Sequence, residues 1–384
     1  MVNKIKSKAK SRKAWLKIHL YLGLICGLFF VMTGITGSFL AFYIEIDELL
    51  HSELIIEDSP NHQKQPYEKI FQALKVAEPT RDKAWRLELP DAPNRMITAR
   101  YYKPVETQSL AFAPLMLWVN PYTAEVVSNR LWGDFAMTWI YDLHFSLLMD
   151  MNGRLALSII GIFIFLSLCT GIYLWWPSKY VLKTAFTFKR HTSRQRNNYD
   201  IHKLTGIYSL PILVIVVATG ILLGLPPVKP VVHALSPLYS PANTQSLLED
   251  SGQRLSLDQI VDIAQQQFPT ASVKWIETPD GITGSYRINL RQHGEPSQRF
   301  PKTNVWVDQY SGNILAIRDM YKDSAGDTFL RWLHPLHSGQ AFGLTGRIIV
   351  CISGLLPIIL FVTGIIRWRQ KQPKKRIHKS QLQG

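Results

Sequence analysis

The chain has 384 residues, 47% of them hydrophobic, and 43 Lys and Arg against 28 Asp and Glu give it a formal net charge of +15. Four stretches near 20–44, 155–176, 204–225 and 348–366 are almost free of charge for about 20 residues each, the length that crosses a bilayer's hydrocarbon core. A soluble enzyme, a disordered tail and a nucleic-acid-binding protein all fit that distribution poorly.

Taken in chain order, the basic residues explain themselves. Residues 1–17, 177–199 and 367–384 hold 20 of the 43 cations and no acid, while the rest of the chain carries a balance of −5. All three segments flank apolar stretches and fall on one side of a four-span protein, the positive-inside pattern. Both termini and the central basic loop are therefore expected in the cytoplasm of a bacterial cell, within a multi-pass inner-membrane protein. The expected organisation is a basic N-terminus to residue 17, a first span at 18–44 and an external module at 45–137. An approach and second span follow at 138–176, then the basic loop at 177–199 and a third span at 200–225. A second external module at 226–327, an approach and fourth span at 328–368 and a basic tail at 369–384 complete it. The first span is too long for a signal peptide's apolar region and lacks a small-x-small cleavage site before Glu45, so it reads as retained. Cys26, Cys169 and Cys351 all lie in apolar spans and form no Cys-x-x-Cys pattern.

Within the external segments, Tyr67–Ala77 and residues 257–268 have helical apolar spacing. Residues 96–102 and 285–290 are strand-like. Trp118-Val119-Asn120-Pro121-Tyr122-Thr123 and Trp306-Val307-Asp308-Gln309-Tyr310-Ser311 each read as a strand entering a tight turn, followed by a second strand. Each external segment is thus a small α+β module.

The two halves of the chain repeat each other. Ile18-His19 and Ile201-His202 are each followed by a glycine four residues past the histidine, and by Thr-Gly 17 and 18 residues past it (Thr36-Gly37; Thr219-Gly220). Leu143-His144 and Leu336-His337 are each followed by Gly-Arg (Gly153-Arg154; Gly346-Arg347), Thr-Gly (Thr170-Gly171; Thr363-Gly364) and Trp (Trp175; Trp368) at identical offsets. Such gapless agreement marks a tandem repeat of helix, module and helix. The expected fold is a membrane α-helical bundle of four transmembrane helices carrying two extracytoplasmic α+β modules, its halves related by a pseudo-two-fold along the membrane normal.

That symmetry brings His19 toward His202 at the cytoplasmic helix ends and His144 toward His337 at the external ends. Two facing histidines between helices are what a non-covalent, bis-histidine b-type haem requires, so the expectation is two such haems. Gly23, Gly27, Gly206, Gly153 and Gly346 would give a macrocycle room. Lys17, Lys203, Arg154 and Arg347 would neutralise propionates. His334, three residues before His337, is a second candidate at the external site, where Tyr141 is its repeat counterpart. His337 is favoured as the symmetric one, and His334 is left to donate a hydrogen bond, line an entry or meet a propionate. Residues 149–153 must bend or unwind if His144 is to approach the membrane. The Thr-Gly pairs are read as close helix packing, and Trp132, Trp139, Trp175, Trp176, Trp332 and Trp368 as an interfacial belt. No Gly-rich nucleotide loop is present, so electrons need a separate donor.

These features together resemble the PepSY-associated transmembrane family, sometimes called iron-regulated membrane proteins. The resemblance rests on residues 15–37 with Ile-His-x-x-x-Gly, the Trp-Val-[Asn/Asp]-x-Tyr-[Thr/Ser] hairpins, the Leu-His…Gly-Arg approaches and the Thr-Gly-Ile exits. It implies PepSY-like external modules and a di-haem inner-membrane reductase, which takes electrons from a cytoplasmic or quinol donor and releases iron from a ferric siderophore. It also implies the rival reading, a membrane-anchored module protein without enzymatic activity that binds a protease or peptide.

Overall fold

The computed structural model describes residues 2–56, 63–247 and 252–372. Most of the expected basic tail, residues 373–384, lies outside the described residues. The chain divides into two compact units. The first comprises Met1–Ser38, Ile159–Ala218 and Cys351–Gly384, and the second Phe39–Ser158 and Thr219–Val350.

The elements run in order α1 (Val2–Ile25), α2 (Gly27–Leu40), α3 (Tyr43–Leu50), α4 (Tyr67–Ala77), β1 (Trp85–Glu88), β2 (Ile97–Tyr101), β3 (Leu115–Val119), β4 (Val126–Leu131), α5 (Ala136–Ser146) and α6 (Asp150–Trp175). They continue with α7 (Leu182–Ala185), α8 (Arg194–Gly224), α9 (Val228–Leu235), α10 (Leu257–Gln267), β5 (Ser272–Glu277), β6 (Ser285–Arg291), β7 (Thr303–Asp308), β8 (Ile314–Arg318), α11 (Ala325–Ser338) and α12 (Gly343–Lys371). Helices α6 and α8 and the stretch Gln340–Lys371 are long and apolar enough to cross a membrane. A fourth span is formed if α1 and α2, bent by 51° at their break, count as one. The chain is a multi-pass membrane protein.

In the first unit small residues let helices approach. A Cβ on Gly34 would lie 2.2 Å from the Gly354 carbonyl oxygen, and Ser38 Oγ donates to the Cys351 carbonyl at 2.7 Å. The bend between α1 and α2 falls beside Gly27, where an added Cβ would meet the Phe361 ring at 2.6 Å. A glycine at such a break is a recognised cause of kinking.

The second unit is built on a single antiparallel sheet of eight strands in the order β4-β3-β2-β1-β5-β6-β7-β8. The two α+β modules expected from sequence are therefore the halves of one sheet. Strands β1 and β5, which the sequence reading had not picked out, join them through the pairs Arg86–Glu277, Leu87–Ile276 and Glu88–Trp275. One face buries Leu87, Ala99, Leu117, Ile276, Ile288 and Val305 against Ile70 and Leu74 of α4 and Leu257 and Ile260 of α10. The two helices cap each other. Asp258 accepts from the Tyr67 and Glu68 amides at 2.9 and 3.0 Å, and Glu68 accepts from the Leu257 amide at 2.9 Å. Each carboxylate thus satisfies otherwise orphaned first-turn amides of the other helix. The opposite face carries Trp118 and Met116, in a second cluster with Leu54, Trp132 and Phe135. Trp132 is 5% exposed and its indole donates to Asp142, so it is a core residue and leaves the interfacial belt.

The helices that carry the second histidine pair end in tight turns. Between α5 and α6 the chain passes through left-handed backbone at Leu147, Leu148 and Asp150, so the turn lies ahead of the expected stretch 149–153, which is helical from Asp150 on. A Cβ on Gly153 would stand 1.6 Å from the Ser146 carbonyl oxygen, and one on Gly346 would stand 2.1 Å from that of Gly339. These two glycines make room for the chain's own turn, which corrects the expectation that they make room for a macrocycle. Only a residue without a Cβ fits there.

Candidate functional site

In the first unit His19 of α1 and His202 of α8 face each other, with ring centroids 6.3 Å apart and planes at 81°. The Nδ1 of His19 lies 3.1 Å from the Ser167 carbonyl and 3.0 Å from Thr170 Oγ1. The Nδ1 of His202 lies 3.1 Å from the Leu360 carbonyl and 2.9 Å from Thr363 Oγ1. The hydroxyl protons are already committed, since Thr170 donates to Ser167 at 2.9 Å and Thr363 donates to Ile359 at 2.5 Å. Each threonine oxygen can then only accept, as can each carbonyl. Those partners assign the proton to Nδ1 of both rings and leave both Nε2 lone pairs free.

The second unit repeats the arrangement. His144 at the end of α5 and His337 at the end of α11 have ring centroids 6.0 Å apart, with planes at 51°. The Nδ1 of His337 lies 3.2 Å from Thr219 Oγ1.

These separations have a chemical meaning. A direct ring-to-ring N–H···N bond would bring the centroids to about 5 Å. Two metal–imidazole bonds of about 2 Å in line, with each centroid about 1.1 Å behind its nitrogen, place them about 6.3 Å apart. The centroid separations of the two pairs, 6.3 and 6.0 Å, lie near that second distance. Among the described residues no cluster of three or more His, Cys, Asp or Glu side chains converges on a point, so each pair offers two nitrogens and no tetrahedral set.

The family model described as the PepSY-associated TM region matches residues 16–371. The chain belongs to this family. No curated protein matches it. The PepSY-associated region takes in all four histidines and both sets of residues that hold their rings.

The Thr-Gly pairs, expected to allow close helix packing, also meet histidine rings at three of the four positions. Thr170, Thr363 and Thr219 contact the imidazoles of His19, His202 and His337. The glycine beside each threonine faces the same ring. A Cβ on Gly171 would lie 3.3 Å from His19 Cε1, on Gly364 3.8 Å from His202 Cε1, and on Gly220 2.9 Å from His337 Cε1. The signal was present, because four Thr-Gly pairs accompany four histidines at repeat-equivalent offsets. Hydroxyls inside apolar helices are expensive without a partner.

The pair His19–His202 opens on a cavity of about 550 Å³ within the first unit, in the range of cofactor pockets. Gly23 and Gly206 line it, and beside Gly23 an added Cβ would find open space. Lys17 reaches its rim, whereas Lys203 is engaged with Asp200 at 3.1 Å and the Thr187 carbonyl at 3.2 Å. Arg12 and Arg367, which sequence reasoning passed over, also line it.

In the second unit the two arginines of the Gly-Arg approaches already have protein partners. Arg154 donates to the Leu223 carbonyl at 2.6 Å and lies over the Phe145 ring. Arg347 pairs with Glu45 at 2.7 Å and donates to the Ala41 carbonyl at 2.8 Å. His334 does not join the pair. It packs edge-on against Phe300 at 4.9 Å, and its buried Nδ1 has no hydrogen-bond partner among the described residues. Burial first, then the neighbouring His337, Arg299 and Lys302, push its pKa down to about 3, so it is a neutral ring.

Proposed function

We propose that the chain is a bacterial inner-membrane oxidoreductase carrying two non-covalent b-type haems, which moves electrons across the membrane to reduce a periplasmic ferric siderophore and release Fe(II). One observation carries this reading. Two histidine pairs stand 6.3 and 6.0 Å apart, in helices of a membrane protein, at repeat-equivalent positions. His19 with His202, and His144 with His337, would hold the haem iron through imidazole nitrogens. Bound there, haem supplies reversible one-electron chemistry.

The chain's own residues would do the rest. Thr170 and Thr363 hold two of the imidazoles in the tautomer that presents Nε2. Arg12, Lys17 and Arg367 place positive charge at the rim of the first cavity, where propionate carboxylates would be neutralised. The acid-free basic segments favour an orientation with both termini in the cytoplasm, so the His19–His202 pair would lie toward the electron donor. A cytoplasmic or quinol donor would supply the electrons.

The test is a dithionite-reduced minus oxidised visible spectrum of the protein purified from haem-replete cells in mild detergent, with a pyridine haemochrome assay. The expected result is close to two b-type haems per chain and reduction of a ferric chelate. A featureless spectrum overturns the reading and leaves a membrane-anchored PepSY module protein that binds a peptide or protease.

A further inference from the structure

The second unit holds a cavity of about 180 Å³ between the start of α3, the facing ends of β1 and β2, strand β5 and the first turn of α12. At about 30 Å³ per water it has room for about six waters, or one small organic anion.

Its charges nearly all answer one another. Glu45 pairs with Arg347 at 2.7 Å, Glu48 with Arg95 at 2.9 Å, Glu88 with Arg100 at 3.0 Å, and Asp91 with Lys274. Asp47 faces His51 at 3.3 Å. Arg299 is left over. Among the described residues its guanidinium has ring contacts only, with Cζ 5.0 Å from the Tyr43 ring and 5.5 Å from the Phe300 ring. A guanidinium held between ring faces keeps its N–H edge for a ligand, and that edge matches two coplanar carboxylate oxygens.

Four further groups of the cavity lining point the same way. Tyr43 and Arg100 are 8% and 5% exposed, yet Tyr43 Oη and Arg100 Nε have no hydrogen-bond partner among the described residues. Unpaired buried donors are costly unless something fills them. Glu88 Oε1 and Asp47 Oδ1, also in the lining, are acceptors without a hydrogen-bond partner among the described residues. Donors for a carboxylate beside two acceptors for hydroxyls describe a small hydroxycarboxylate.

We propose that this cavity is a carboxylate-binding site, with Arg299 as its cation and Tyr43 and Arg100 as supporting donors. It deepens the reductase reading by naming the ligand chemistry presented near the His144–His337 pair, since Phe300 touches both Arg299 and His334. Its carboxylate chemistry does not depend on haem being present. Two sources share that chemistry, a free hydroxycarboxylate chelate of a trivalent metal and a propionate arm of a haem.

The full chain in detergent is titrated calorimetrically with citrate and with gallium(III) citrate, a chelate that cannot be reduced. Haem content and midpoint potentials are measured on the same preparations. Wild type, Arg299→Gln, Arg299→Lys and Tyr43→Phe are compared, and equal thermal midpoints show that the variants are folded. The expected result is chelate binding that Arg299→Gln weakens by about 10- to 100-fold, Arg299→Lys by less, and Tyr43→Phe by about 3- to 10-fold, with haem content unchanged. Wild type that ignores citrate, with an Arg299→Gln variant that loses haem or shifts one midpoint, assigns the carboxylate to a propionate and still supports the site. Citrate binding and haem properties both indifferent to Arg299→Gln overturn it. Haem-free protein whose citrate binding falls in Arg299→Gln keeps this inference and sinks the reductase reading. Two haems per chain with neither effect do the reverse.

Discussion

Replacing Thr170 and Thr363 by valine tests whether the hydroxyls serve the histidines. Each substitution nearly conserves shape and removes one of the two acceptors at Nδ1, at 3.0 Å for His19 and 2.9 Å for His202, while the carbonyls of Ser167 and Leu360 remain at 3.1 Å. An acceptor at Nδ1–H makes the imidazole a stronger donor through Nε2 and so favours the more oxidised metal. A hydrogen bond of this kind is worth about 0.5–1.5 kcal/mol. With one acceptor retained, the lower half of that range applies. At about 59 mV per tenfold change for one electron, the expected shift is about 20–40 mV. The sign follows from lost ligand basicity, so the midpoint of the His19–His202 site rises. The assay is a potentiometric titration followed in the visible bands, with the pyridine haemochrome confirming that both haems remain. A midpoint unchanged within about 10 mV in the double variant would refute the reasoning and return these threonines to helix packing.

Other consequences are equally open to measurement. His202→Ala is expected to lower haem stoichiometry from two to one per chain while membrane insertion is unaffected, checked by haemochrome and membrane fractionation. Alanine at the ring-facing glycines should disturb the spectrum in the order of contact, Gly220 at 2.9 Å most, then Gly171 at 3.3 Å, then Gly364 at 3.8 Å. Asp258→Ala removes the carboxylate that caps α4 and should lower stability by about 1–2 kcal/mol, read as a lower thermal midpoint of the full chain. Leu87→Ala, at a fully buried position where the two half-sheets meet, should cost about 2–5 kcal/mol in the same assay.

Much of the site was legible in the residues, because repetition exposes function that apolar sequence otherwise hides. His19, His202, His144 and His337 stood out since a membrane helix seldom carries a ring nitrogen without use for it, and two copies at one spacing imply a symmetric meeting. His337 rather than His334 follows from the same logic, and the 6.0 Å approach to His144 agrees with it. Thr170 and Thr363 were harder. A threonine in an apolar helix ordinarily satisfies itself on the carbonyl one turn back, as both do here. Only the neighbouring helix shows that the remaining lone pair receives a histidine proton. Gly153 and Gly346 were misplaced because a glycine required by a tight turn and one required by a ligand look alike in sequence.

The apolar spans, the basic segments, the tandem repeat and the main helices and hairpins of each half follow from local periodicity, charge and spacing alone. Only the meeting of distant segments shows that the two halves share one sheet, that α4 and α10 cap each other, and that Arg299 has no counter-ion among the described residues. Each of those depends on which distant segments meet. The pairing of β1 with β5 is made by backbone groups that every residue carries, and a spare guanidinium is visible only once each carboxylate has found its partner.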